Sequence, residues 1–212
     1  MAAVAGAVAD ELMAELCRDP AIRKAYANNG GDIALHLVPG ERFRVGLLAD
    51  LGRIGRPPEP RLDGEFEITA QMPVRGVATS GWRGRSFSLG IADSVTALAD
   101  TAAGADAAAT MIGNAVNVRD PAILRRRACE LKDDTDLGER LVTVAVDPLA
   151  RDKVDEALEA GARCARRLLK ASTIHAVVLC LQGSVRAIGE PVPTGKTFAL
   201  RRDTSPAPAR CR

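Results

Sequence analysis

The sequence predicts an α+β fold in which a largely antiparallel sheet packs against helices, and three observations carry that prediction. Short β-tolerant runs follow one another at 33–38, 43–49, 66–70, 76–79, 86–89 and 94–99. Helical periodicity is confined to separate stretches: one at the N-terminus, one after residue 103 and one over 148–170. No long polar tract divides the 212 residues, a length that buries one substantial core, so residues 1–203 read as a single domain. The remainder, 204–212, with Pro206, Pro208 and Arg210, reads as a disordered tail.

The elements follow in order. Residues 1–17 place Val4, Val8, Leu12 and Leu16 at helical spacing and bring Asp10, Glu11 and Glu15 in late, which predicts a helix whose first half is buried all round. Met-Ala-Ala-Val supplies no capping residue, so the natural element is expected to begin upstream of Met1. A short strand at 25–27 leads into Asn28-Asn29-Gly30-Gly31-Asp32, a turn whose residues tolerate positive φ and bring bare amides forward. The runs 33–38 and 43–49, joined by Pro39-Gly40-Glu41, read as a hairpin. Pro57, Pro58 and Pro60 mark a loop over 52–63.

Strands to residue 99 precede a helix of small residues at 103–116, and Asp120 with Pro121 has the N-cap and N1 signature of another helix. A strand at 141–146 precedes the helix of 148–170, whose buried face is Val154, Leu158, Ala162, Ala165 and Leu169. The runs 174–181 and 185–188 close the fold as a hairpin around Gln182-Gly183.

Composition narrows the function. Lys and Arg total 29 against 27 acids, a net charge of +2, and the basic residues are scattered apart from Arg125 to Arg127 and the C-terminus, which argues against nucleic acid. No run of about 18 apolar residues occurs and the N-terminus is no signal peptide, so neither a spanning helix nor export is expected. Cys17, Cys129, Cys164, Cys180 and Cys211 are odd in number and widely spaced, which fits reduced thiols in the cytoplasm better than disulfides or zinc.

The candidate site lies in 76–117. On the helix that ends this stretch, Asp106, Thr110, Asn114 and Asn117 fall within an arc of roughly 80°. Short oxygens and amides framed by Ala and Gly, without Lys or Glu, suggest a face that a ligand or a second subunit approaches closely. Asp106 and Thr110, one turn apart, could hold magnesium whose other ligands are phosphate and water, and the helix N-terminus would favour a phosphate. Equally, Asp106 could offset the helix dipole while Thr110 bonds back to a carbonyl. Trp82 could stack on a flat ring or belong to the core.

Other motifs fail on spacing. The stretch 189–197 has five residues between its glycines where a phosphate loop has four, and two prolines interrupt it. Asp133, Asp134 and Asp136 miss the calcium-loop pattern, which leaves a solvated turn. His36 and His175 lack partners at ligand spacing, which leaves them structural roles.

The order of Ala5-Gly6-Ala7-Val8-Ala9-Asp10, Asn29-Gly30-Gly31-Asp32-Ile33, Ala78-Thr79-Ser80-Gly81 and Ala105-Asp106-Ala107-Ala108-Ala109-Thr110 resembles the ApbE superfamily of FAD:protein FMN transferases, in particular its short, uncharacterised bacterial and archaeal branch. The resemblance implies that Asp106 and Thr110 ligate magnesium beside the FAD pyrophosphate. It also implies that Asn29, Gly30, Gly31, Thr79, Ser80 and Gly81 line the pocket and, because members of the short branch begin well before the residue matching Met1, that N-terminal strands are missing. Asn114 joins the ligand-binding candidates from the polar stripe. The transferases carry Lys-Gly-Tyr where this chain has Ala5-Gly6-Ala7, and a His and an Asp-Pro pair where it has Ser86-Phe87-Ser88-Leu89.

Three readings follow. The first is a cytoplasmic protein that binds a phosphorylated, flavin-like or pterin-like small molecule along the stripe, with magnesium. The second is an FMN transferase, and the third a structural or assembly protein whose stripe joins the subunits of a homo-oligomer.

Overall fold

The structure, a computed structural model, describes residues 3–47 and 64–189. Its elements are α1 (Val4–Leu16), β1 (Lys24–Asn29), β2 (Asp32–Leu37), β3 (Arg42–Leu47), β4 (Gly64–Thr69), β5 (Gly76–Ser80), β6 (Ser94–Ala99), α2 (Ala102–Ala115), β7 (Ile123–Arg127), β8 (Leu141–Val146), α3 (Arg151–Lys170), β9 (Ala176–Leu181) and β10 (Ser184–Ile188). Six strands form one sheet in the order β1-β2-β5-β6-β9-β10, with every neighbouring pair antiparallel. Two further ribbons, β3 with β4 and β7 with β8, are antiparallel as well. The fold is therefore α+β, as the sequence predicts.

Both faces of the central strands are covered, which explains why β6 and β9 are buried at every position. Val95, Ala97 and Ala99 of β6 pack with Ala105, Ala109 and Ile112 of α2 and with Leu158 and Ala165 of α3. On the opposite face Leu98 joins Leu35, Leu37, Ile68 and Val77 in a second cluster, roofed by Phe43, Val45 and Phe66 of the β3–β4 ribbon. Alanine on α2 lets helix and sheet approach closely. A β-carbon on Gly76 would stand 1.9 Å from the Thr101 carbonyl oxygen, so only glycine fits there.

Several expectations are corrected. The runs around Pro39-Gly40 do not form a hairpin: β2 pairs with β1 and β5, while β3 pairs with β4 in another sheet. The turn thus moves the chain from the main sheet to its roof. Residues 86–89 form no strand, and Asp120 caps a turn by accepting from Ala122 N at 2.9 Å, after which Ile123 enters β7.

The N-terminal helix exists without a side-chain cap, but its buried residues are Gly6, Ala9 and Met13. Val4, Val8, Leu12 and Leu16 are 45–54% exposed. The cause is the approach to α2, where a β-carbon on Gly6 would lie 2.4 Å from the Ala102 carbonyl oxygen, so the smallest residues must face inward. The loop expected at 52–63, most of the stretch 189–197 and the tail at 204–212 lie outside the described residues.

Candidate functional site

The site arises from a mismatch in strand length. β5 pairs with β6 as far as Ser80, yet with β2 only at Val77 and Gly76, because β2 ends at the Gly30-Gly31 turn. Thr79 and Ser80 therefore extend past the end of β2 and leave a notch in the sheet. A cavity of about 440 Å³ occupies it, a size suited to a small-molecule ligand. Its wall includes Asn29, Gly30, Gly31 and Asp32 from the hairpin, Val45 and Gly46 from β3, Thr79, Ser80 and Gly81 at the end of β5, and Asp106 and Thr110 of α2.

Eight of the nine predicted site residues thus meet in one cavity: Asn29, Gly30, Gly31, Thr79, Ser80, Gly81, Asp106 and Thr110. Asn114 does not. Its Oδ1 accepts from Leu89 N at 2.9 Å and from Ser88 Oγ at 3.3 Å, which pins the loop before β6. Asn117 acts beside it, donating to the Leu89 carbonyl at 3.0 Å. The expected stripe has two parts: Asp106 and Thr110 of α2 face the cavity, while Asn114 and Asn117 staple a loop, Asn117 from beyond the helix, which ends at Ala115. Trp82 neither stacks in the cavity nor belongs to the buried core: half-buried, it donates from Nε1 to Asp93 Oδ1 at 3.2 Å.

The amides expected to greet an anion are committed elsewhere. Asp10 accepts from Ala102 N at 2.9 Å and Ala103 N at 2.8 Å, and Thr101 Oγ1 accepts from Gly104 N at 3.0 Å, so the first turn of α2 is capped from within. Gly31 N donates to Asn28 Oδ1 at 2.9 Å. Glycine serves a different end at position 30, where φ is +74° and a β-carbon would stand 1.9 Å from Arg85 Nη2. Its absence makes room for a guanidinium.

Arg85, Arg83, Asp32 and Asp93 are lining residues that the sequence reading left unassigned. The signal was present in Arg83-Gly84-Arg85, two cations that follow Thr79-Ser80-Gly81 after the single residue Trp82. Burial, then the charge of Asp106, pushes the Asp32 carboxyl from 3.8 to about 6, while Arg85 partly offsets the rise. Asp93 accepts from Arg83 Nε at 3.0 Å and from Gln182 N at 2.6 Å, holding Arg83 against the end of β9. Thr79 and Thr96 share a hydroxyl contact at 2.8 Å on the cavity wall.

Asp106 accepts from Gly6 N at 3.1 Å, which fixes its carboxylate at the start of α1. Asp106, Thr110 and Asp32 are hard oxygen donors of the kind magnesium takes together with ligand phosphate and water. No group of three or more His, Cys, Asp or Glu suited to a metal occurs among the described residues, so such an ion would depend on ligand oxygens. No helix among those residues is long and apolar enough to cross a membrane.

Comparison with known proteins gives archaeal relatives. A UPF0280 protein of Methanopyrus kandleri is 38% identical over 155 residues, covering 69% of this chain and 56% of its own. One from Methanocaldococcus jannaschii is 34% identical over 165 residues, covering 77% of this chain and 64% of its own. One from Methanothermobacter thermautotrophicus is 38% identical over 139 residues, covering 63% and 49%. The chain spans about half to just under two thirds of the length of these relatives. The expected kinship with the ApbE superfamily of FMN transferases is overturned here, since these relatives are named only as UPF0280 proteins and the matching family model is described otherwise. That model covers residues 1–187, and the chain belongs to the family it describes, AbpE bacteria.

Proposed function

We propose that this protein binds a small phosphorylated ligand in the notch between β2, β5 and α2, with a magnesium ion recruited alongside the phosphate. The observation that carries this reading is the meeting of two arginines, Arg83 and Arg85, with three carboxylates, Asp32, Asp93 and Asp106, in one cavity of about 440 Å³. Arg83 and Arg85 offer planar, charged donors matched to phosphate oxygens. Asp106 and Thr110 offer oxygens to a cation that would offset the phosphate charge. Hydroxyls of Thr79, Ser80 and Thr96 suit the polar edge of a flavin-like or pterin-like ring, with Val45 and Val77 against its plane. A cytoplasmic setting accords with an odd number of widely spaced cysteines, Cys17, Cys129, Cys164, Cys180 and Cys211, with no Cys-x-x-Cys among them.

Calorimetry with FMN, FAD and inorganic pyrophosphate, each with and without magnesium, tests this reading. Binding strengthened by magnesium is expected, with Arg85→Ala losing at least tenfold and Asp106→Ala losing the magnesium dependence. No binding of any of the three overturns it, and so does binding that Arg85→Ala leaves unchanged.

A further inference from the structure

We propose that Asp93 is a positioning residue of the cavity, orienting Arg83 for the ligand phosphate, so that a negative side chain strengthens the binding of an anion. The inference rests on the phosphorylated-ligand reading given above. Both residues line the cavity. Arg83 Nε donates to Asp93 Oδ1 at 3.0 Å, and Trp82 Nε1 donates to the same oxygen at 3.2 Å. Asp93 Oδ2 accepts from Gln182 N at 2.6 Å. The Arg83 guanidinium carbon also lies 5.1 Å from the centre of the Trp82 ring, within reach of a cation–π contact.

The pair is unequally exposed, the Asp93 side chain at 13% and that of Arg83 at 41%. The acid is therefore the fixed member, and its backbone is tied to three strands. Asp93 N donates to the Cys180 carbonyl of β9 at 2.9 Å just ahead of β6, and Trp82 N, beyond β5, donates to the Ala92 carbonyl at 2.9 Å. A β-carbon on Gly81 would stand 2.3 Å from the Asp93 carbonyl oxygen, so the two segments meet closely. The Gln182 turn is anchored in its own right: its side chain accepts from Leu149 N at 2.9 Å and donates to the Asp147 carbonyl at 2.8 Å. Those bonds hold a non-glycine residue at φ +45°, a conformation kept only where its surroundings enforce it.

Two effects of Asp93 oppose each other. Its charge repels a phosphate in the same cavity, whereas its bond to Nε fixes the plane of the Arg83 guanidinium, whose donors form a rigid fork. An arginine ordered before the ligand arrives loses less freedom on binding. Three donors converging on the buried carboxylate offset its charge locally, so orientation outweighs repulsion. Removing Asp93 then weakens anion binding, the opposite of what charge alone dictates.

Calorimetry with pyrophosphate at fixed magnesium tests the sign. Asp93→Ala is expected to weaken binding at least fivefold in the wild-type background and less than twofold in the Arg83→Ala background, because it acts through Arg83. Arg83→Lys, at an exposed position, keeps the charge and loses the fork; it is expected to match Arg83→Ala within about twofold, which keeps the test open should Asp93→Ala fail to fold. Trp82, the one tryptophan, supplies a signature: its emission changes on saturation with pyrophosphate in the wild type and in Arg85→Ala, and the change is lost in Arg83→Ala. Unchanged or tighter binding by Asp93→Ala overturns the inference, as do an equal loss with and without Arg83, wild-type binding by Arg83→Lys, or constant emission in the saturated wild type. If Arg85→Ala loses affinity while Asp93→Ala does not, the ligand reading stands and this inference alone falls. Absence of pyrophosphate, FMN and FAD binding removes both.

Discussion

Gly6 and Asp106, separated by 100 positions in sequence, are joined by a hydrogen bond of 3.1 Å from the Gly6 amide to Asp106 Oδ2. The contact exists because α1 crosses the start of α2 at glycine, and it makes the site carboxylate depend on how closely the two helices pack. A β-carbon at position 6 would stand 2.4 Å from the Ala102 carbonyl oxygen and 2.7 Å from Ala103 N, both backbone atoms that cannot swing aside. Gly6→Ala is expected to destabilise the fold by about 1–3 kcal/mol, as overpacked cores do. Urea denaturation measures the loss. An unchanged midpoint would show that the helices separate freely at this crossing.

Asp10 governs the same crossing from the other side. Its two oxygens accept from Ala102 N and Ala103 N, so a residue of α1 completes the cap of α2 together with Thr101. Asp10→Ala should cost about 1–2 kcal/mol, the range for a lost helix cap, and Asp10→Asn should cost less because one acceptor survives. Equal losses in both variants, measured by chemical denaturation, would mean that packing rather than capping carries the effect.

The sequence made these helices legible but not their orientation. Val4, Val8, Leu12 and Leu16 form the stronger apolar stripe, and the hydrophobic rule turns them inward. Close approach at Gly6 turns them outward, a constraint set by a residue on another helix. For the site, Asp106 and Thr110 were legible because one turn separates two oxygens, and Asn29 to Gly31 because Asn and Gly mark a turn. Arg83 and Arg85 were not, since their place on the cavity follows from where β2 stops, and strand pairing is absent from local pattern. The helix sought at Pro121 failed because its signature, an Asp before Pro, also begins a simple turn into a strand.

Asp32 supplies a pH signature. Its carboxyl titrates near 6 in the folded protein against 3.8 ordinarily, so the folded state holds a proton that the unfolded state has released. Stability is therefore greatest, as far as this group goes, below about pH 4, and falls as pH rises to about 6. Asp32→Asn should stabilise the protein at pH 8 by on the order of 1 kcal/mol, discounted for solvent screening, and leave it unchanged near pH 4. Denaturation at the two pH values decides the matter. A gain of equal size at both would attribute it to something other than titration.

The division of the α2 stripe predicts opposite consequences for neighbouring turns of one helix. Asn114→Ala leaves Leu89 N without its acceptor and frees the loop before β6, so a loss of about 1–3 kcal/mol in stability is expected. Asn114 is absent from the cavity wall, and ligand affinity should stay within about twofold, or roughly 0.4 kcal/mol. Thr110→Ala reverses the pattern. It removes a half-buried hydroxyl on the wall, so stability should stay within about 0.5 kcal/mol while magnesium-dependent pyrophosphate binding falls about tenfold. Calorimetry and denaturation on both variants give four numbers. If Asn114→Ala costs affinity and Thr110→Ala costs stability, the stripe is a single surface after all, and the site extends one turn further towards the loop.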